Sequence, residues 1–68
     1  MNVDLKIIDE GSIVVFEWLS YRGERFLQDL NTEPWQWQGK HPNNLLCVDH
    51  RMAPDIVRLA AEEGLSIL

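Results

Sequence analysis

The densest group of reactive side chains is Cys47-Val48-Asp49-His50-Arg51, which sets a thiol, a carboxylate, an imidazole and a guanidinium within five residues. Such a set invites nucleophilic chemistry, in which a histidine takes the thiol proton and a carboxylate orients the ring. The spacing opposes it. Leu45-Leu46-Cys47-Val48 has the apolar character of a strand, on which Cys47 and Asp49 share one face and His50 falls on the other. A Cys47–His50 hydrogen bond then needs a bend after Val48. Free cysteine buries readily, so Cys47 reads as a small core residue, and a cysteine-dependent enzyme or sensor is kept only as an alternative.

A metal site would have to recruit His41, Cys47 and His50. Structural zinc takes four ligands at regular spacings, and one cysteine with two histidines in no such pattern does not meet that demand. No metal or other cofactor is therefore expected. The acidic pairs Asp9-Glu10 and Glu62-Glu63 fall in a turn and on a solvated helix face, which suits solubility better than acid–base work. Gly11, Gly23, Gly39 and Gly64 are scattered and form no phosphate-cradling loop. No catalytic residue is assigned.

The segment from Trp35 to Arg51 has the composition of a binding surface. It holds Trp35, Trp37, Lys40, His41, His50 and Arg51, and tryptophan and arginine are enriched where partners bind. Against this stands the packing role of tryptophan, since a small domain needs its large side chains and one indole can cap the core. Tyr21, Arg22 and Arg25 on the first helix are a candidate extension of the surface, or else balance Glu24 and Asp29 on a solvated face. The leading expectation is an interaction module that binds a protein partner, with a homodimer through an open strand edge as one form. The alternative from another class is nucleic-acid binding by Trp stacking with Lys40, Arg51, Arg22 and Arg25. Six Lys and Arg against eleven Asp and Glu, a net charge of −5, disfavour it because phosphate neutralisation drives that affinity. A DNA-mimicking acidic surface is not required by the spacing of the acids.

These residues must be positioned by a small scaffold. Sixty-eight residues, 46% hydrophobic and 25% charged, make a single domain over 1–68 with a modest core. One cysteine allows no internal disulfide and suits a reducing compartment; with no signal peptide and no apolar run of spanning length, the expectation is a cytoplasmic protein with no membrane partner.

Val3, Leu5 and Ile7 alternate with Asp4 and Lys6 as a half-buried strand does. Asp9-Glu10-Gly11-Ser12 is a turn, and Ile13 to Leu19 reads as a central strand covered on both faces, or nearly so. Ser20 is suited to N-cap a helix over 21–31 whose apolar stripe is Gly23, Phe26, Leu27 and Leu30; glycine in that stripe lets the helix lie close to the sheet. Pro34 puts a stop beyond it. Trp35 to Gln38 is an optional strand, 39–44 a loop and Leu45 to Val48 the third strand. Pro54 and Asp55 open a second helix with Ile56, Val57, Leu59, Ala60 and Ala61 on its apolar face, an Arg58–Glu62 pair outside and Gly64 as its stop; Leu65 to Leu68 closes the chain as a strand. The expected fold is α+β, ordered ββα(β)βαβ: a mixed four- to five-stranded sheet carrying two helices, with an N-terminal β-hairpin and a C-terminal β-α-β unit.

Overall fold

In a computed structural model of the chain, residues 3–30, 32, 36–38 and 45–68 are described. The class is α+β. Strand β1 (Leu5–Asp9) pairs antiparallel with β2 (Ile13–Trp18), and β2 pairs antiparallel with β4 (Leu45–Asp49). These three strands form the body of the sheet, and the two-residue β3 (Trp37–Gln38) lies along the outer edge of β4. Two helices, α1 (Tyr21–Gln28) and α2 (Ala53–Glu62), complete the elements.

The hairpin turns on Gly11, whose φ of 92° only glycine adopts without strain, and the Asp9 side chain accepts from the Gly11 N–H at 2.9 Å. Helix α1 starts where Ser20 Oγ accepts from the Gly23 N–H at 3.1 Å. It ends earlier than the apolar stripe implies. The Leu30 N–H turns to the Leu27 carbonyl, tightening the last turn and closing the helix before residue 31. Helix α2 ends in a Schellman motif at Gly64 (φ 78°), with Gly64 N–H on Ala61 O and Leu65 N–H on Ala60 O, both at 3.0 Å. On its surface Arg58 pairs with Asp55 at 3.3 Å rather than with Glu62.

The C-terminal segment corrects one expectation. It does not lie beside β4 but crosses the sheet to β1, where Ile67 makes a single parallel bridge with Leu5. Asp4 and Leu5 donate to Ser66 O, Ile7 donates to Leu68 O, and Leu68 donates to Leu5 O. The β-α-β path therefore spans β2 and β1 rather than joining neighbours, because β2 already occupies one edge of β4 and β3 the other.

The middle of β2 is buried on both faces, at Val14 and Phe16 on one and Val15 on the other, but helices cover only one of them. The core consists of Leu5, Val14, Phe16, Leu46 and Val48 from one sheet face, Phe26 and Leu27 from α1, and Ala53, Ile56 and Ala60 from α2. Both helices thus pack on the same face. Strand β2 is central in order, yet only its Val14, Phe16 and Trp18 side is covered by helices.

The docking of α1 depends on Asp4. This residue is 5% exposed, and its carboxylate accepts from Ser20 Oγ at 2.6 Å and from the Ser66 N–H at 2.9 Å. Its carbonyl accepts from the Leu19 N–H, and a Cβ on Gly23 would overlap that same carbonyl oxygen while meeting Leu5 Cδ2 at 3.1 Å. Helix α1 is pressed onto the first residues of the chain at the one place where it has no side chain.

Two predictions follow from this contact. By helix propensity alone Gly23→Ala should stabilise by about 1 kcal/mol. The contact reverses the sign, and urea denaturation should show a loss of about 1–3 kcal/mol, the usual cost of overpacking. The Ser20 hydroxyl and Ser66 amide, with the nearby Arg22 charge, hold the Asp4 carboxyl below its ordinary value of 3.8. Because the folded value is depressed, the stabilisation is complete above the unfolded value and disappears as pH falls through the lower folded one. Asp4→Asn leaves one acceptor where the carboxylate offers two, so either the Ser66 N–H or the Ser20 hydroxyl loses its acceptor; the variant should be weaker at pH 7 and should lose less stability than wild type between pH 5 and pH 2, measured by urea midpoints.

Candidate interaction surface

Among the described residues, those expected to bind fall in three separate places. Trp37 belongs to the core margin: its ring lies 5.4 Å from that of Trp18 at a 59° tilt, and its Nε1 donates to Thr32 Oγ1 at 3.0 Å. It is the indole that caps the core, as one of the tryptophans was expected to do. Trp35, Lys40 and His41 lie outside the described residues.

His50 and Arg51 are exposed at the end of β4. The His50 N–H donates to Ser12 O, continuing the β2–β4 register by one residue. Arg51 folds back on Asp49 through Nε at 3.0 Å and Nη2 at 3.2 Å, with the Arg51 N–H also on Asp49 Oδ1. These bonds lower the Asp49 carboxyl to about 2. The guanidinium fork is thus occupied by its own neighbour.

Tyr21, Arg22 and Arg25 sit at the other end of the sheet. Arg22 donates to the Glu63 carbonyl at the end of α2, and Arg25 donates to the Tyr21 hydroxyl at 2.9 Å while its guanidinium stands 5.8 Å from that ring. Helix α2, ten residues and so about 15 Å long, separates this group from His50 and Arg51. The proposed extension is a separate patch.

Cys47 and His50 also part company. Cys47 pairs with Val15 across the ladder, on the face opposite Leu46 and Val48, and is half-buried outside the helix-covered core. His50 instead lines an open groove of about 580 Å³ on the helix side, between the hairpin and α2, with Ile7, Val14, Ala53 and Val57. Partial burial, and after it the Glu10 charge, raise the Cys47 thiol above its ordinary value of 9.0. Among the described residues no three His, Cys, Asp or Glu side chains are grouped to hold a metal ion, and no helix is long and apolar enough to cross a membrane.

A surface that sequence reasoning did not identify is the second face of the sheet. By alternation and register it holds three rows: Lys6, Glu17 and Leu45; Ile8, Val15 and Cys47; Ile13 and Asp49. Glu10 extends the third row, since its N–H donates to Ile13 O. Ile13 is 47% exposed, Ile8, Leu45 and Cys47 are half-buried, and Val15 is buried at 8%. None of the five belongs to the helix-covered core or packs on it. The unbroken apolar run 13–16 is the signal that was available: Val14 and Phe16 are buried under the helices, Val15 is buried on the second face, and Ile13 is its exposed member.

Comparisons with protein-family models, with curated proteins and with solved structures give no match for this chain.

The charge around Cys47 makes a prediction. Maleimide labelling in the folded protein should be slow at neutral pH and accelerate as pH rises above 9, since the thiolate is the reacting species. Glu10→Gln removes the anion that opposes the thiolate, so its labelling should be faster than wild type at pH 8.

Proposed function

We propose that the chain is a small interaction module that works by presenting the helix-free face of its sheet to a protein partner. The observation that carries this reading is the placement of both helices on one side, with the aliphatic row Ile8–Val15 and the half-exposed Ile13 on the other. An antiparallel sheet that meets only water on one face ordinarily alternates apolar and polar residues. Here β2 offers Ile13, Val15 and Glu17 and β4 offers Leu45, Cys47 and Asp49, so the face is apolar at its centre and charged at its margin. That arrangement is the anatomy of a protein–protein contact: an apolar middle inside a polar rim.

The reading keeps Arg51, which is paired with Asp49 at the margin, while His50 belongs to the groove on the helix side and Trp35, Lys40 and His41 remain sequence candidates outside the described residues. It moves the weight from the tryptophans to the aliphatic face, because Trp37 is engaged with Trp18 and Thr32.

A photoreactive phenylalanine analogue placed at Ile13, and separately at Glu62 on the outer side of α2, tests the reading in cells of the native host. A discrete covalent adduct from position 13 that is absent from position 62 is the expected result. Adducts from position 62 alone, or none from position 13, would remove the sheet face as the working surface.

A further inference from the structure

Resting on that reading, we infer that the partner of the open sheet face is a second copy of this chain, docked about a twofold axis that runs across the strands. The arrangement of charges on the face selects both the occupant and the axis. Along β1 the outward side chains are Lys6, Ile8 and Glu10, a cation and an anion symmetrically placed about an isoleucine. At about 3.3 Å per residue they stand roughly 13 Å apart along the strand.

A twofold axis over the row Ile8–Val15–Cys47 exchanges the two ends of each strand. Lys6 of one copy then faces Glu10 of the other, and Glu10 faces Lys6, so each pair occurs twice as an isologous interface requires. Ile8, Val15 and Cys47 meet their own counterparts along the axis. Leu45 meets a carboxylate that Arg51 already neutralises, and Glu17 meets the exposed flank of Ile13. The other in-plane axis, along β2, sets Lys6 against Leu45 and leaves the cation with no carboxylate opposite it, whereas the cross-strand axis pairs it with Glu10 twice. The strands of the two sheets remain aligned, the usual relation of packed sheets.

The size of the face sets the strength. Three strands of five or six residues give a footprint on the order of 500 Å² per copy, which reaches only the lower limit for a specific interface. Dimerisation should therefore be concentration-dependent, with a dissociation constant on the order of 10–100 µM.

Lys6 and Glu10 are both exposed, so charge reversals there leave the core intact, which matching circular dichroism spectra confirm for each variant. Sedimentation equilibrium is run on wild type, Lys6→Glu, Glu10→Lys and the double variant at low salt. Wild type should show a monomer–dimer equilibrium, and each single reversal should weaken it roughly tenfold by setting like charges together. The double variant should return to within about twofold of wild type, because the swap restores both pairs. Mild oxidation with copper–phenanthroline should give a disulfide-linked dimer through Cys47, which meets its counterpart on the axis, and Cys47→Ser should give none. A dimer untouched by the single reversals, or not rescued by the double, would overturn the proposed docking. A wild-type chain that stays monomeric at roughly 1 mM overturns the second copy as occupant. In that case a discrete adduct from position 13 with a different protein preserves the module reading, and no adduct there removes both.

Discussion

The structure depends on one buried carboxylate. Asp4 stands where the beginning of the chain, the start of α1 and the C-terminal segment meet, and it satisfies a donor from each of the latter two. The Ser20 hydroxyl has one proton to give, and it gives it to Asp4 while accepting from the Gly23 N–H. An acceptor-only group is needed at the far side of that relay, and an ionised aspartate is the side chain that supplies two acceptors at once. Every buried side-chain polar atom among the described residues has a partner. In so small a core a single unsatisfied group would cancel a large part of the total stability.

That contact also decides on which side the helices lie. Gly23 rests on the Asp4 carbonyl, which fixes α1 to the face that Leu5 and Phe16 present. Ser66 is drawn to the same carboxylate, so the chain leaving α2 must return over β1, and α2 packs on the same side as α1. With both helices committed, the opposite face is left to Ile8, Ile13, Val15, Leu45 and Cys47. The helix-free sheet face and the polar clamp are thus two consequences of one packing arrangement.

Much of this was legible in the sequence where the signal is local. The hairpin about Gly11, the Ser20 cap, the close approach at Gly23, the third strand and the Gly64 stop all depend on residues a few positions apart. The chemistry of Asp4 was not legible, because its partners lie 16 and 62 residues away and an aspartate at a strand start ordinarily reads as exposed. The position of the last strand failed for a related reason. A tight β-α-β path implies neighbouring strands, but the edges of β4 are taken by β2 and β3. Composition marks tryptophan and arginine as contact residues without saying what they already touch. Trp37 is held by Trp18 and Thr32, and Arg51 by Asp49.

The central claim is that, among the described residues, one face of the sheet is packed by helices while no helix covers the other. Methyl NMR with a soluble gadolinium chelate, recorded on a dilute sample, tests it most directly. The account predicts strong relaxation enhancement for the methyls of Ile13, Ile8 and Leu45, against little for Leu5, Leu27 and Leu46. Equal protection of the two groups would contradict it, since it would mean that something in the chain itself already covers the second face.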